Sequence, residues 1–560
     1  MHVRRQMSAP SAERGSTRVR VLLLTPPFVQ LNTPYPATPQ LAGFLRERGF
    51  DVAQRDLSIE TALEVLRRHG DELVDELIEL LQGPLPAEAK HAAALHLDAV
   101  AERIRTEVDP DFGFSRYAEK LGACVPDFGV LLRRLRRRSP VDRVLEELTE
   151  RALRETGMLD GSGRRVVGVT CPFPGTLLGA LRIARTVRRL LPRAELVLGG
   201  GYVNTELRHL SEPRVRRFFD HLMYDEGYAP WMELLSGAAP ERVPCFVKPD
   251  YAGLDFTQYI DMPESENPMH RLWSTGRWLK VQLARGCYWH RCAFCDVTLD
   301  YIRRFEMPSA AEIVDALERL ASENPAARVD GVPGFHFTDE AVPPVLARAV
   351  SREILRRKFA CRWWGNVRFD AAYAGDLPRL MARAGCIAVT GGLECASDRL
   401  LALMEKGITL ASARRALESF RDAGVMVHAY LMYAFPTQTE DEARAALRFV
   451  RARFADGSLQ SAYFHRFALT IHSPIAADPA RFGIRVPEGI PPAKGLFACN
   501  EIPYAEPGAP DWTRIGRALR LALYNFMQGR GLRKSIDFWF DAARSRRRDG
   551  SDRRQGGSKE

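Results

Sequence analysis

The chain is 560 residues long, 46% hydrophobic and 27% charged, the make-up of an ordinary folded protein too long for a single core. Its formal charge of +10 sits mostly at two polar ends, where residues 1–20 hold five Arg against one Glu and residues 544–560 hold seven Lys or Arg against three acids; the body is nearly neutral, which argues against a nucleic-acid partner. The early apolar run at 19–24 is shorter than a signal core, and no stretch nears the roughly 20 apolar residues of a membrane span, so a cytoplasmic protein without a membrane partner is expected.

After a basic start (1–17) that reads as disordered, residues 19–24 form a continuous apolar run, a buried parallel strand that stops at Thr25-Pro26-Pro27. An amphipathic helix over 38–48 and a strand over 51–56 complete a β-α-β unit. Residues 57–163 interrupt it with leucines at helical spacing, and the pattern resumes with strands over 166–170, 195–198 and 221–224 and a helix over 175–191. An open α/β sheet binds ligands outside the carboxyl ends of its strands. Here those ends carry Thr25, Pro26 and Pro27, then Cys171-Pro172-Phe173-Pro174, then Gly199, Gly200, Gly201 and Tyr202, and last Asp225, Glu226 and Gly227. The glycines would let a flat ligand approach the backbone. There is no G-x-G-x-x-G, so nothing marks a nicotinamide or flavin site.

Residues 239–274 read as a linker. From 275 to 475 short apolar strands alternate with helices, as a partial (β/α)6 barrel requires, with strands expected over 334–337, 359–364, 387–390, 425–432 and 462–469. Polar residues and glycines gather at their ends, the rim where barrel enzymes do chemistry: Thr338, Asp339 and Glu340; Arg368; Gly391, Gly392 and Glu394. The first strand, over 279–283, runs into L-A-R-G-C-Y-W-H-R-C-A-F-C-D, in which Cys287, Cys292 and Cys295 stand at C-x4-C-x2-C with Phe294 beside the last. Three thiolates on one loop suit a [4Fe–4S] cluster with one iron left open. Zinc with His290 would use some of the same residues, but a closed zinc site wants a second ligand pair. Ten cysteines, mostly scattered, fit a reducing compartment better than a disulfide framework. Residues 476–543 read as a C-terminal helical extension whose aromatics pack on the barrel or line a cavity, and 544–560 as a basic tail.

The cysteine loop, with R-G-C-x-W…C-x-F-C around it, resembles that of the radical SAM superfamily, whose usual spacing is C-x3-C-x2-C; one extra residue stands in the first gap here. The N-terminal unit and the run G-L-E-C-A-S-D-R-L-L-A-L-M-E-K-G-I-T over 392–409 resemble the branch that carries a cobalamin-binding domain. The resemblance implies an α/β chain with a Rossmann-like domain over 18–238, followed by the barrel. It implies a [4Fe–4S] cluster on the three cysteines and S-adenosyl-L-methionine held by Thr338, Asp339 and Glu340 at its amine, Arg368 at its carboxylate and Glu394 at its ribose. Cobalamin would lie on the sheet ends named above, with no histidine ligand to cobalt because D-x-H-x-x-G is absent. The implied activity is a cobalamin-dependent radical SAM methyltransferase acting through a 5′-deoxyadenosyl radical on a small-molecule or peptide natural product, supplied with electrons by a flavodoxin or ferredoxin. A cyclase or oxidoreductase using the same cofactors stays open, as does a non-catalytic iron–sulfur or cobalamin sensor.

Overall fold

Two parallel sheets organise the chain in a computed structural model that describes residues 19–114, 127–160, 163–210, 212–263, 267–487 and 497–545. The basic segment 1–17, the tail from 546 and Cys124 lie outside the described residues. The first sheet orders its strands β2-β1-β3-β4-β5, from β1 (Arg20–Thr25), β2 (Asp51–Asp56), β3 (Arg165–Thr170), β4 (Glu195–Gly199) and β5 (His221–Leu222), all parallel. Alternation along these strands divides their apolar residues between two faces. Val21, Leu23, Val166 and Val197 pack against Phe44 and Leu45 of α1 (Ala37–Glu47) and against Trp231. Leu22, Leu24, Val167 and Leu196 face the inserted helices, among them α2 (Leu57–His69) and α3 (Pro140–Glu155), together with α4 (Leu177–Leu190). The inserted helices and α4 together cover this face of the sheet. Arg182 of α4 pins α3 to it: fully buried, it bonds Asp142 at 2.9 Å and Glu146 at 3.2 Å. Such a buried pair needs close geometry to offset desolvation.

The second sheet is the barrel, ordered β12-β11-β10-β9-β8-β6, with β7 (Arg328–Val329) pairing antiparallel to β8 as a short hairpin. Its parallel strands are β6 (Leu279–Val281), β8 (Val332–Phe337), β9 (Arg362–Val367), β10 (Cys386–Glu394), β11 (Met426–Tyr433) and β12 (Ser461–Arg466). Six strands make an open barrel. The expected linker contains a helix, α5 (Pro268–Ser274), whose Met269 and Leu272 cluster with Trp278, Trp364 and Ala388 at the N-terminal end of the strands. Beyond α6 (Asp398–Leu403) and the remaining barrel helices, α7 (Trp512–Met527) lies against β12, and its Trp512 is buried in the barrel's outer core with Trp539 and Phe540 of the last described helix, Ile536–Ser545. Packing is thus the role of those aromatics, although Tyr524 and Phe538 stay exposed.

The domains are joined through loops rather than a slack tether. Asn32 donates to the carbonyls of Thr275 and Gly276, Thr33 to that of Trp278, and the Tyr251 hydroxyl spans the backbone of Lys280.

Candidate active site

The cysteine loop leaves β6 and is held by its backbone. Asp339, at the end of β8, accepts the amide N–H groups of Leu283 at 3.0 Å and Ala284 at 2.7 Å, and its carboxylate is fully buried. Burial raises its carboxyl to about 7 against those two bonds, which pull it down. The Cys287 amide donates to Ile302 and the Ala293 amide to Met404. Gly286 turns at φ +70°, where a Cβ would stand 2.5 Å from the Arg304 carbonyl. His290 also takes a positive φ, with its ring bonded to the Cys287 carbonyl. The four residues between the first two cysteines thus close as a turn, which accommodates the wide first gap. Trp289 caps that turn, lying on Gly407 and donating its indole N–H to the Glu405 carbonyl at 2.8 Å.

Cations face the thiols. Arg368 Nη1 lies 3.8 Å from Cys292 Sγ, and the same guanidinium bonds the Lys406 carbonyl and stacks over Trp289 at 4.7 Å. Lys406 Nζ sits 5.7 Å from the Phe294 ring centroid and pairs with Glu394 at 2.6 Å. Burial pushes the Cys292 thiol up while Lys406 and Arg368 pull it down, and Cys287 is close enough to act on it. Cys295 is pushed up by burial first and by Cys292 next. Among the described residues no three His, Cys, Asp or Glu side chains converge as they would on one ion.

Of the residues expected to hold S-adenosylmethionine, the structure gathers all at one rim but gives three of them other partners, Glu394 already being paired with Lys406. Asp339 is committed to the loop backbone, and Arg368 to Cys292 and Lys406. Glu340 keeps a carboxylate without a hydrogen-bond partner among the described residues; it is exposed in a recess whose walls raise its carboxyl, near enough to act on Cys295 and Tyr301. Thr338 is half-buried and donates its amide to Val281. Gly391 and Gly392 are small for a packing reason: a Cβ on Gly391 would meet Phe369 and the Val367 carbonyl, and one on Gly392 would land on the Glu394–Lys406 pair.

The sheet ends of the first domain differ more from expectation. Thr25, Pro26, Pro27, Cys171 and Tyr202 are buried within the domain itself, Pro27 against Gly179 of α4. Gly200 and Gly201 admit the backbone of Cys171 and Pro172, where any Cβ would collide, while Gly199 has ordinary contacts. Phe173, 51% exposed, and Gly201 are what this edge offers outward. Glu226 is taken by Arg285 of the cysteine loop in a two-pronged ion pair, one arm at 2.8 Å, beside Gly227 in its left-handed turn. The last loop of the first sheet is thereby fastened to the cysteine loop that leaves β6.

The inner wall of the barrel is the part sequence reasoning missed. Register places Lys280, His336 and Trp364 side by side, with Asn366, Thr390 and His428 further along. Tyr430 pairs with Tyr463, and His465 with Met432. Burial lowers Lys280 to about 7 and His428 to about 3. The signal was present as L-K-V, F-H-F and V-H-A-Y, polar residues at every second position of otherwise apolar strands; in a packed barrel those positions hold branched aliphatics.

The sequence model of the Radical SAM superfamily matches residues 281–450. An uncharacterized methyltransferase of Pyrococcus horikoshii is 25% identical over 173 residues, 30% of this chain and 36% of the relative. The anaerobic magnesium-protoporphyrin IX monomethyl ester cyclase of Rubrivivax gelatinosus is 22% identical over 209 residues, 37% of this chain and 34% of its own. The chain thus spans about a third of the length of these curated relatives. Among solved structures, the radical S-adenosylmethionine methyltransferase TsrM of Kitasatospora setae, with cobalamin and a [4Fe–4S] cluster bound, aligns at TM-score 0.52 and 17% identity over 91% of this chain and 89% of that one. The cobalamin-dependent radical enzyme OxsB, with aqua-cobalamin bound, aligns at 0.52 and 12% over 90% and 66%. The superfamily resemblance thus rests on residues 281–450, and the fold of the whole chain is similar to those of the cobalamin-bound TsrM and OxsB structures.

Proposed function

We propose that this chain is a cobalamin-dependent radical SAM enzyme that methylates an unactivated carbon of a small-molecule or peptide substrate. The observation that carries the reading is the three-cysteine loop on the first strand of a six-stranded parallel half-barrel, with Arg368 and Lys406 turned toward Cys292. Cys287, Cys292 and Cys295 would hold the cluster, and Lys406 and Arg368 pull the Cys292 thiol down against the burial that raises it. When bound, the cluster supplies one electron for breaking a carbon–sulfur bond of S-adenosylmethionine, and cobalamin supplies a methyl group. Glu340 offers its unpartnered carboxylate to the methionine amine, and Glu394, held by Lys406, faces the ribose. Asp339 keeps the loop fixed, and the Glu226–Arg285 pair keeps the first domain seated on the rim. A flavodoxin or ferredoxin supplies the electron.

Anaerobic incubation of reconstituted protein with cobalamin, reductant and S-adenosylmethionine tests the reading. 5′-Deoxyadenosine together with S-adenosylhomocysteine supports methyl transfer. 5′-Deoxyadenosine alone favours the cyclase-type reading that the Rubrivivax relative suggests, and neither product refutes both.

A further inference from the structure

The inner side of the barrel strands is not a packed core. Val281, Phe337, Trp363 and Val427 pack outward with the helices, so their strand neighbours Lys280, His336, Trp364 and His428 point into the lumen. Tyr430, two residues beyond His428, points the same way and is still 37% exposed. His465 of β12, whose ring lies 5.7 Å from that of Tyr430, is exposed as well. Solvent therefore enters the lumen from the rim.

Deeper in, polar groups lack partners. Trp364 Nε1 and His428 Nε2 are buried and make no hydrogen bond among the described residues. Lys280 is only 4% exposed, yet its ammonium has neither a hydrogen-bond acceptor nor an ion-pair partner among the described residues. What it meets is a ring of the first domain, Tyr35 at 5.7 Å, which leans edge-on against Phe173. Asp56 is the one carboxylate that acts on Lys280, and it accepts the Ser58 amide at 3.0 Å and the Tyr259 hydroxyl at 2.8 Å. The six parallel strands of the barrel carry a single Asp or Glu, Glu394 at the end of β10, and Lys406 takes it. Burial lowers His336 and His465 as it lowers His428, which keeps the imidazoles neutral. The lumen thus holds one buried cation and no anion to match it, and a buried charge is costly until it is paired. The wall beside it is flat, His336 lying stacked on Trp364 at 3.6 Å.

Taking the ligand of this lumen to be the substrate rests on the function proposed above. We propose that Lys280 is a specificity-determining residue that receives the carboxylate of an aromatic substrate, whose ring lies along the His336, Trp364 and Tyr430 wall. The carboxylate end is then the deep end, and the carbon that reacts lies on the part of the substrate nearer the rim.

Equilibrium dialysis of the anaerobically reconstituted full-length chain tests this with three probes: 2-naphthylacetate, 2-naphthylacetamide and cyclohexylacetate. The parent should bind the aromatic acid about 10-fold or more tighter than its amide and than the cyclohexyl acid. Lys280→Met should bring acid and amide within about 2-fold of each other, with iron content and affinities for cobalamin and S-adenosylmethionine like those of the parent. The ratio in the parent needs no variant: equal affinity for acid and amide, or binding of neither, overturns the proposal, as does a Lys280→Met chain that keeps the preference. A 10-fold loss of cobalamin or S-adenosylmethionine affinity in Lys280→Met would assign the residue to the phosphate or carboxylate of those molecules and overturn the substrate role. Should the preference be present while the chain forms neither 5′-deoxyadenosine nor S-adenosylhomocysteine, the function reading falls and the carboxylate site stands.

Discussion

Asp339→Asn separates a carboxylate that holds the cysteine loop from one that merely fills space. The native group is fully buried, accepts two backbone amides, and has its carboxyl raised from 3.8 to about 7. A carboxyl raised on folding adds stability that is complete below its unfolded value and lost as pH rises through its folded value. With those two values the loss between pH 5 and pH 7.5 is about 2.5 kcal/mol, and an amide has no such dependence. Urea unfolding of parent and variant at both pH values measures it: the gap between them should shift by about 2.5 kcal/mol in favour of the variant at the higher pH. Asp339→Ala should cost about 2–5 kcal/mol at pH 5, because it leaves two buried N–H donors unmet, and should lower iron loading. A gap that does not change with pH, or an Ala variant as stable as the parent at pH 5, refutes the reasoning.

Other changes follow from the same contacts. Lys406→Met strands the Glu394 carboxylate in a buried site and should destabilise by about 3–5 kcal/mol, with Lys406→Met plus Glu394→Gln recovering part of it in the same unfolding assay. Gly407→Ala places a methyl inside the Trp289 ring at φ +72°; iron content after reconstitution should fall while the circular dichroism of the barrel persists. Glu226→Ala leaves Arg285 buried without its partner, and should expose the loops between the domains to limited proteolysis; Glu226→Arg combined with Arg285→Glu should restore resistance.

The sheet strands were legible because buried parallel strands are near-continuous apolar runs, as at 19–24 and 166–170. The β9 strand was expected three residues early: Phe359 and Ala360 look strand-like, but Lys358 ends the preceding helix in a left-handed turn, so extended pairing starts at Arg362. Helix α5 was absorbed into the linker because seven residues beginning with proline carry little periodicity. At the site, the cysteines and the rim positions could be found from spacing. What sequence does not encode locally is who takes each rim side chain. Asp339, Arg368 and Glu226 reach the expected places and are claimed by the loop backbone, by Cys292 and by Arg285. In the Gly199–Gly201 run, Gly200 and Gly201 serve the approach of one backbone to another.

The central claim is that Cys287, Cys292 and Cys295 share one iron–sulfur cluster. Iron and sulfide analysis with low-temperature electron paramagnetic resonance of the anaerobically reconstituted, dithionite-reduced chain tests it most directly. About four irons per chain, with a reduced-cluster signal that changes on adding S-adenosylmethionine and is lost in Cys292→Ala, is the predicted result. Stoichiometric zinc, or full iron retention in Cys292→Ala, would contradict it.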